Sequence, residues 1–250
     1  MLVGGMPQAV NEYLDSNNLQ RVDMVKRDII NLYKDDFVKL DDSGRLELMF
    51  MNIPAQLSNN SNRYKTSAIV GEVNDGRAVE MLNELASSKT VNFVYHSNDP
   101  NVGMALSMDL SKFKIFCADT GLFVTMAFWD KDFTENIIYQ KLLSDKLSVN
   151  LGYVYENLVA QMLVASGNKL FYHTWDKDAT HKYEVDFLIS RGTKVIPIEV
   201  KSSGYRTHAS LDAFAKKYSQ IVGRKCLIYT KDLDTDADTL LLPAYMSPLL

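Results

Sequence analysis

Apolar and polar residues alternate through two neighbouring runs, Tyr183–Ile189 and Val195–Lys201. A period of two is that of a β-strand. The intervening Ser190-Arg191-Gly192-Thr193 has the composition of a turn, so the pattern predicts a hairpin. In its second strand Ile196, Ile198 and Val200 face one way and Val195, Pro197, Glu199 and Lys201 the other. In its first strand Glu184, Asp186 and Leu188 share a face, opposite Tyr183, Val185, Phe187 and Ile189. Pairing of the two would bring Asp186, Glu199 and Lys201 to one end. Upstream, the spacing of Leu151, Val154, Tyr155, Leu158, Val159, Met162 and Leu163 predicts a helix with Glu156 in its first half.

The rest of the chain alternates between these two periods. Pro7 to about Ser16 reads as a helix with Pro in its first turn. Asn17-Asn18 breaks it, and Asn18 caps a longer helix over Leu19–Leu40. Its stripe is Val22, Val25, Ile29, Ile30, Leu32, Tyr33, Phe37 and Leu40, with Arg21, Lys26 and Arg27 mostly outward. After a turn at Asp41–Gly44, short helices are expected over Arg45–Met51 and around Pro54–Leu57, then a polar loop, Ser58–Asn62. A helix capped by Asp75 should bury Val79, Leu82 and Leu85. Strands are expected at Val91–His96, Ala105–Met108 and Phe113–Ala118, a helix at Thr134–Lys146, and a strand at Lys169–Trp175. Beyond Lys201 come a helix at His208–Ser219, a strand at Arg224–Thr230 and a short edge strand at Thr239–Leu242. The class is α/β: helices followed by a strand wing suggest a winged helix, and the second half a mixed sheet with helices on both faces. The divisions fall at 1–41 (helical segment), 42–122 (winged-helix-like) and 123–250 (mixed sheet).

A net charge of −4 argues against indiscriminate nucleic-acid binding, which needs many Lys and Arg on phosphates. The expected winged helix offers Arg77 and Lys89 against Asp75, Glu80 and Glu84, poor material for phosphate contacts. Two cysteines, Cys117 and Cys226, make a disulfide framework improbable and a cytoplasmic setting the default. The start MLVGGMPQAV has no basic region ahead of an apolar one, so no secretion signal is expected, and no run is long enough to span a bilayer.

Two carboxylates and a lysine at one hairpin end have a chemical use. Mg²⁺ and Mn²⁺ take oxygen ligands, and Mg²⁺ is commonly held by one or two carboxylates with water and phosphate completing its shell. Such an ion lowers the pKa of bound water and offsets phosphodiester charge. A lysine beside it orients the water or stabilises developing charge. Glu156 would be a third ligand if its helix packed beside the sheet.

This order of elements carries a resemblance. Asp119-Thr120-Gly121-Leu122, Gly152-x-x-Tyr155-Glu156-Asn157, Glu184-Val185-Asp186-Phe187 and Ile198-Glu199-Val200-Lys201-Ser202 together resemble the PD-(D/E)XK nuclease-like module. The closest version is a domain of unknown function at the C-terminus of prokaryotic ATP-binding proteins. Gly4-Gly5-Met6-Pro7 and the two helices after it resemble the stretch just beyond the ATPase of those proteins. The resemblance implies a restriction-endonuclease-like sheet and a divalent-metal DNA nuclease. Glu156, Asp186 and Glu199 would hold Mg²⁺ or Mn²⁺, and Asp186, Glu199 and Lys201 would be catalytic. It also implies an ATPase domain or subunit as partner, with DNA as the substrate. The alternative is a non-catalytic interaction module or DNA-binding regulatory module of an ATP-binding protein. Apolar surface on the helices of residues 7–40, where an ATPase would pack, predicts self-association.

Other signals point nowhere stronger. Gly71–Ala78 lacks the Lys and Ser/Thr of a phosphate loop. Asp232, Asp234, Asp236 and Asp238 lack the Gly and Glu of a calcium loop and read as a solvated turn. His173 and His181 could approach across a hairpin turn, and Arg206 and His208 could reach a phosphate near the metal.

Overall fold

The computed structural model of the chain describes residues 1–59, 63–67, 75–143 and 152–250. The loop residues Asn60–Asn62, the first part of the rejected phosphate loop (71–74), the side chain of the cap candidate Asp75, and Leu151 lie outside the described residues. Two compact units are present. One comprises Met1–Ser61, Lys65–Asn92 and Cys117–Asn157, the other Asn62–Tyr64, Phe93–Phe116 and Leu158–Leu250. Neither unit is a single stretch of sequence.

The first unit is helical. It contains α1 (Pro7–Ser16), α2 (Leu19–Leu40), α3 (Arg45–Met51), α4 (Ile53–Ser58), α5 (Asp75–Ser87), α6 (Thr120–Ala127) and α7 (Asn136–Leu143). Asn17 ends α1 in the left-handed conformation at φ 48°. Asn18 opens α2 by accepting from the N–H groups of Gln20 at 3.0 Å and Arg21 at 3.3 Å. Val22, Ile30 and Phe37 of α2 are buried as their spacing predicts, but Leu32 and Leu40 are exposed. On α5 the buried residues are Met81 and Leu85, while Val79 is exposed.

The expectation that Lys26 and Arg27 face outward is wrong, because both are buried. They belong to a polar network around the fully buried Asp23. One Asp23 oxygen accepts from Thr125 Oγ1 at 2.9 Å and Tyr139 Oη at 2.6 Å. The other accepts from Arg27 Nε and from the Thr134 N–H, each at 2.8 Å. Lys26 Nζ donates to Leu2 O at 2.9 Å, and Arg27 caps the Lys131 and Phe128 carbonyls. Buried charge is tolerable only when paired and hydrogen-bonded this fully. The network ties α2 to α6, α7 and the N-terminal segment. Asp119 adds a second tie by capping α6 through the Leu122 N–H at 2.8 Å and holding the Gly5 N–H at 2.6 Å. There Gly121 is obligatory, since a Cβ would sit 2.4 Å from Val3 O.

Among the described residues, eight strands form one mixed sheet in the second unit, in the order β2-β1-β3-β4-β5-β6-β8-β7. These are β1 (Val91–Ser97), β2 (Met108–Cys117), β3 (Phe171–Asp176), β4 (Lys182–Arg191), β5 (Lys194–Val200), β6 (Lys225–Tyr229), β7 (Asp234–Asp236) and β8 (Thr239–Pro243). β1 pairs parallel with β3, β3–β4 and β4–β5 are antiparallel, and β5–β6 and β6–β8 are parallel. The strands expected as a wing thus lie in the main sheet. Ala105–Ser107 belongs to a 3-10 turn, Met104–Ser107, ahead of one long strand β2. β8 is not the edge strand. β7, within the run read as a solvated turn, pairs outside it, and its fully exposed residues give no hydrophobic period to read. Helix α8 spans Gly152–Ala165, and α9 (Ala209–Lys217) packs against β4 and β5. The core beneath α9 gathers Phe171, Val185, Leu188, Val195 and Phe214.

Candidate active site

β4 and β5 form the expected hairpin. Arg191 pairs with Lys194 across a two-residue turn, and Gly192 takes φ 58°. Two-residue hairpin turns require positive φ, which glycine adopts without a Cβ clash. The register Ile189↔Ile196, Leu188↔Pro197 and Phe187↔Ile198 then carries Asp186 to the position beside Glu199.

One feature of this strand departs from the alternation in the sequence. On β3, Phe171 to His173 is a two-residue step, but their partners on β4, Leu188 and Val185, are three residues apart. The extra residue is a β-bulge at Asp186–Phe187, and it flips the parity of β4. Val185 therefore joins Leu188 in the core beneath α9 rather than facing away from it. The bulge leaves Asp186 where regular pairing with β5 stops. Its Oδ2 accepts from the Val200 N–H at 2.8 Å, replacing a ladder bond with a side-chain bond.

Glu199 lies between β4 and β6, opposite Leu227 in the parallel pair. Its side chain is only 7% exposed. Oε1 meets Lys201 Nζ at 2.7 Å, while Oε2 is buried without a hydrogen-bond partner among the described residues. A carboxylate oxygen stripped of water and left unpaired costs free energy, and such an atom calls for an explanation. Lys201 is held at the strand end by its own N–H on Ile228 O at 2.8 Å, and its side chain is one third exposed. An ammonium with one side in water and the other on a buried carboxylate can reach an anionic ligand.

Asp186, Glu199 and Lys201 are thus brought to adjacent positions on neighbouring strands of the second unit. Glu156 is half-buried on α8 and belongs to the first unit. Its neighbour Asn157 holds the Cys117 N–H at 2.8 Å and carbonyl at 3.1 Å. Among the described residues, no three His, Cys, Asp or Glu side chains form a metal-sized group. His208 is engaged by Asp212, 2.9 Å away, and His181 by Asp178, also at 2.9 Å.

The pairing of His173 is with His96, not His181. The two rings stack at 5.4 Å. His173 Nδ1 donates to Ser97 O at 2.7 Å and its Nε2 accepts from Tyr218 Oη at 3.0 Å. His96 Nε2 accepts the Thr174 N–H at 3.1 Å. Each ring is neutral with a fixed tautomer. Burial pushes the His173 pKa down to about 4, and that of His96 down as well. The alternation in the sequence puts His173 on an inward position, but nothing in it reveals the partner 77 positions upstream.

A family model described as a domain of unknown function, DUF8612, matches residues 1–132, more than half of the 250-residue chain. The chain belongs to the DUF8612 family. A second domain of unknown function, DUF4143, is similar to residues 151–246 of this DUF8612 protein, the part that carries Glu156, Asp186, Glu199 and Lys201. No curated protein and no solved structure matches the chain at a significant level. Among the described residues, no helix is long and apolar enough to cross a membrane.

Proposed function

We propose that the second unit of this DUF8612 protein is a divalent-metal-dependent phosphodiesterase acting on DNA. The observation that carries the reading is Glu199 Oε2, a buried carboxylate oxygen without a hydrogen-bond partner among the described residues, beside Lys201 and one strand from Asp186. An all-oxygen donor set with an unused buried lone pair fits Mg²⁺ or Mn²⁺. Asp186 and Glu199 would hold the ion. When bound, the ion would supply charge neutralisation and an acidified water. Lys201 does the rest of the electrostatic work. In the resting chain it neutralises Glu199, and with substrate present its partly exposed ammonium stabilises charge on the scissile phosphate. The bulge fixes the Asp186 carboxylate through the Val200 N–H, so that side chain needs no reorganisation.

The test is Mn²⁺-dependent nicking of plasmid DNA, with linear duplex and single strands alongside. Wild-type chain should nick, and Lys201→Ala should lose 10²–10³-fold in rate, roughly the cost of one charge-stabilising donor. Lys201→Ala as active as wild type would remove the reading.

A second reading, a non-catalytic module that joins an ATPase to another partner, has its own observation. Arg77, the arginine of the helix expected to read DNA, is engaged by Asp41 at 2.9 Å and Glu80 at 3.1 Å. The first unit would then serve protein contacts. Wild-type chain inert on all three DNA forms would favour it.

A further inference from the structure

The bulge that places Asp186 also sets the parity of the residues before it. Trp175 pairs with Tyr183 and His173 with Val185, so these four lie on the face that carries Leu188 and the core beneath α9. Leu188 pairs with Pro197, two residues from Glu199 and four from Lys201, so by the period of two Glu199 and Lys201 project from this face too. His96, His173, Trp175 and Tyr183 form a continuous row of rings, with centroids 5.4, 5.4 and 5.2 Å apart, the last three of them on this face. The inner end, His96 and His173, is buried and hydrogen-bonded. The outer end, Trp175 and Tyr183, is half-buried and ends at the exposed turn 177–181.

Cations cover that outer end. Lys177 Nζ lies 5.5 Å from the Tyr183 ring centroid, and Lys217 Nζ lies 5.7 Å from that of Trp175. Lys182, paired with Asp176 in the next register position, projects from the opposite face and approaches Asp176 at 3.7 Å. The other acid of the turn, Asp178, is occupied by the N–H groups of Thr180 and His181, each at 2.9 Å. Lys177 and Lys217 are exposed, so each can swing from ring to solvent at little cost.

We propose that Trp175 and Tyr183 form a stacking platform for the bases of single-stranded DNA, with Lys177 and Lys217 on its phosphates. A base takes the place of the Lys177 ammonium on the outer ring, and the ammonium moves to the neighbouring phosphate. Stacking is indifferent to sequence and needs unpaired bases, so the platform selects single strands over duplex. Tyr183 precedes Asp186 by three residues, about 10 Å along the strand, so a strand held here runs toward the candidate site. The proposal rests on the nuclease reading for its choice of polymer.

The experiment uses the full chain in EDTA, with fluorescein-labelled oligo-dT followed by anisotropy. Wild type should bind, with affinity falling as salt rises, by roughly 0.7 in log–log slope per phosphate contacted. Tyr183→Leu, which keeps an apolar side chain, should weaken binding about tenfold, within the range for loss of one stacking ring. Lys177→Glu, at an exposed position with no folding risk, should weaken it and flatten the salt slope. In a Trp129→Phe background, the emission of Trp175 should be quenched by the oligonucleotide. No binding by wild type at about 100 μM protein, the weak end of non-specific affinity, would overturn the proposal. So would wild-type affinity in both Tyr183→Leu and Lys177→Glu, or duplex bound as tightly as oligo-dT. The two readings fail separately: plasmid nicking without oligo-dT binding sinks the platform alone, and binding without nicking sinks the nuclease alone.

Discussion

Glu199 and Lys201 are two residues apart on one strand, but their surroundings differ, and that difference sets what each substitution does. Glu199 is buried, and Lys201 is one third exposed. Lys201→Ala would leave a buried carboxylate uncompensated. It should destabilise the chain by roughly 1–3 kcal/mol, between the costs for exposed and fully buried pairs. Added Mn²⁺ should then raise the melting temperature of Lys201→Ala more than that of wild type, because the ion replaces the lost positive charge. Thermal melts with and without the ion check this, and an equal shift in both would count against an ion at Glu199. His173 gives a pH signature. Its folded pKa, about 4, lies below the usual 6.5 because burial disfavours the imidazolium. The unfolded chain therefore binds more protons between those values. The contribution is fully present above pH 6.5 and is lost as pH falls toward 4, on the order of 3 kcal/mol for the full difference. Urea melts from pH 7 to 4 should show the loss in wild type and less of it in His173→Gln. A flat profile would mean that His173 takes up its proton in the folded state.

Elements were legible wherever one period held. The β4–β5 hairpin follows from alternation around Arg191-Gly192, and α2 follows from its Asn18 cap and apolar repeat. The bulge was not legible. Val185-Asp186-Phe187 alternates as a regular strand would, and the shift shows only against β3. It changed the face of Val185 without separating Asp186 from Glu199. The burial of Lys26 and Arg27 was hidden for a related reason. Charged residues on a helix read as solvated, and their partners Tyr139, Thr134 and Leu2 are distant in sequence. The wing strands were found in part but placed wrongly, since strand pairing between β1 and β3 spans an interval no local pattern encodes. At this scale Asp23→Ala should cost 3 kcal/mol or more, because it strands Arg27 in a buried site. Gly121→Ala should destabilise by displacing the N-terminal segment, where the added Cβ would meet Val3 O. Denaturant melts measure both, and a Gly121→Ala chain as stable as wild type would show that the segment is not held there.

At the scale of the molecule, family membership and chemistry rest on different parts of the chain. The DUF8612 match, residues 1–132, covers α1 to α6 together with β1 and β2, and the residues proposed for chemistry lie beyond it. The helices of the first unit expose Leu14, Leu32 and Leu40. Self-association through them is the expectation, and light scattering that reports a monomer at high concentration would oppose it. The central claim is that Asp186 and Glu199 hold a divalent ion, and a Mn²⁺ titration of the full chain followed by electron paramagnetic resonance of the free ion tests it without reference to substrate. One saturable site is predicted at millimolar ion or below, lost in Asp186→Asn and Glu199→Gln and kept in Lys201→Ala. No bound Mn²⁺ in the wild type, or Glu199→Gln binding as the wild type does, would contradict it.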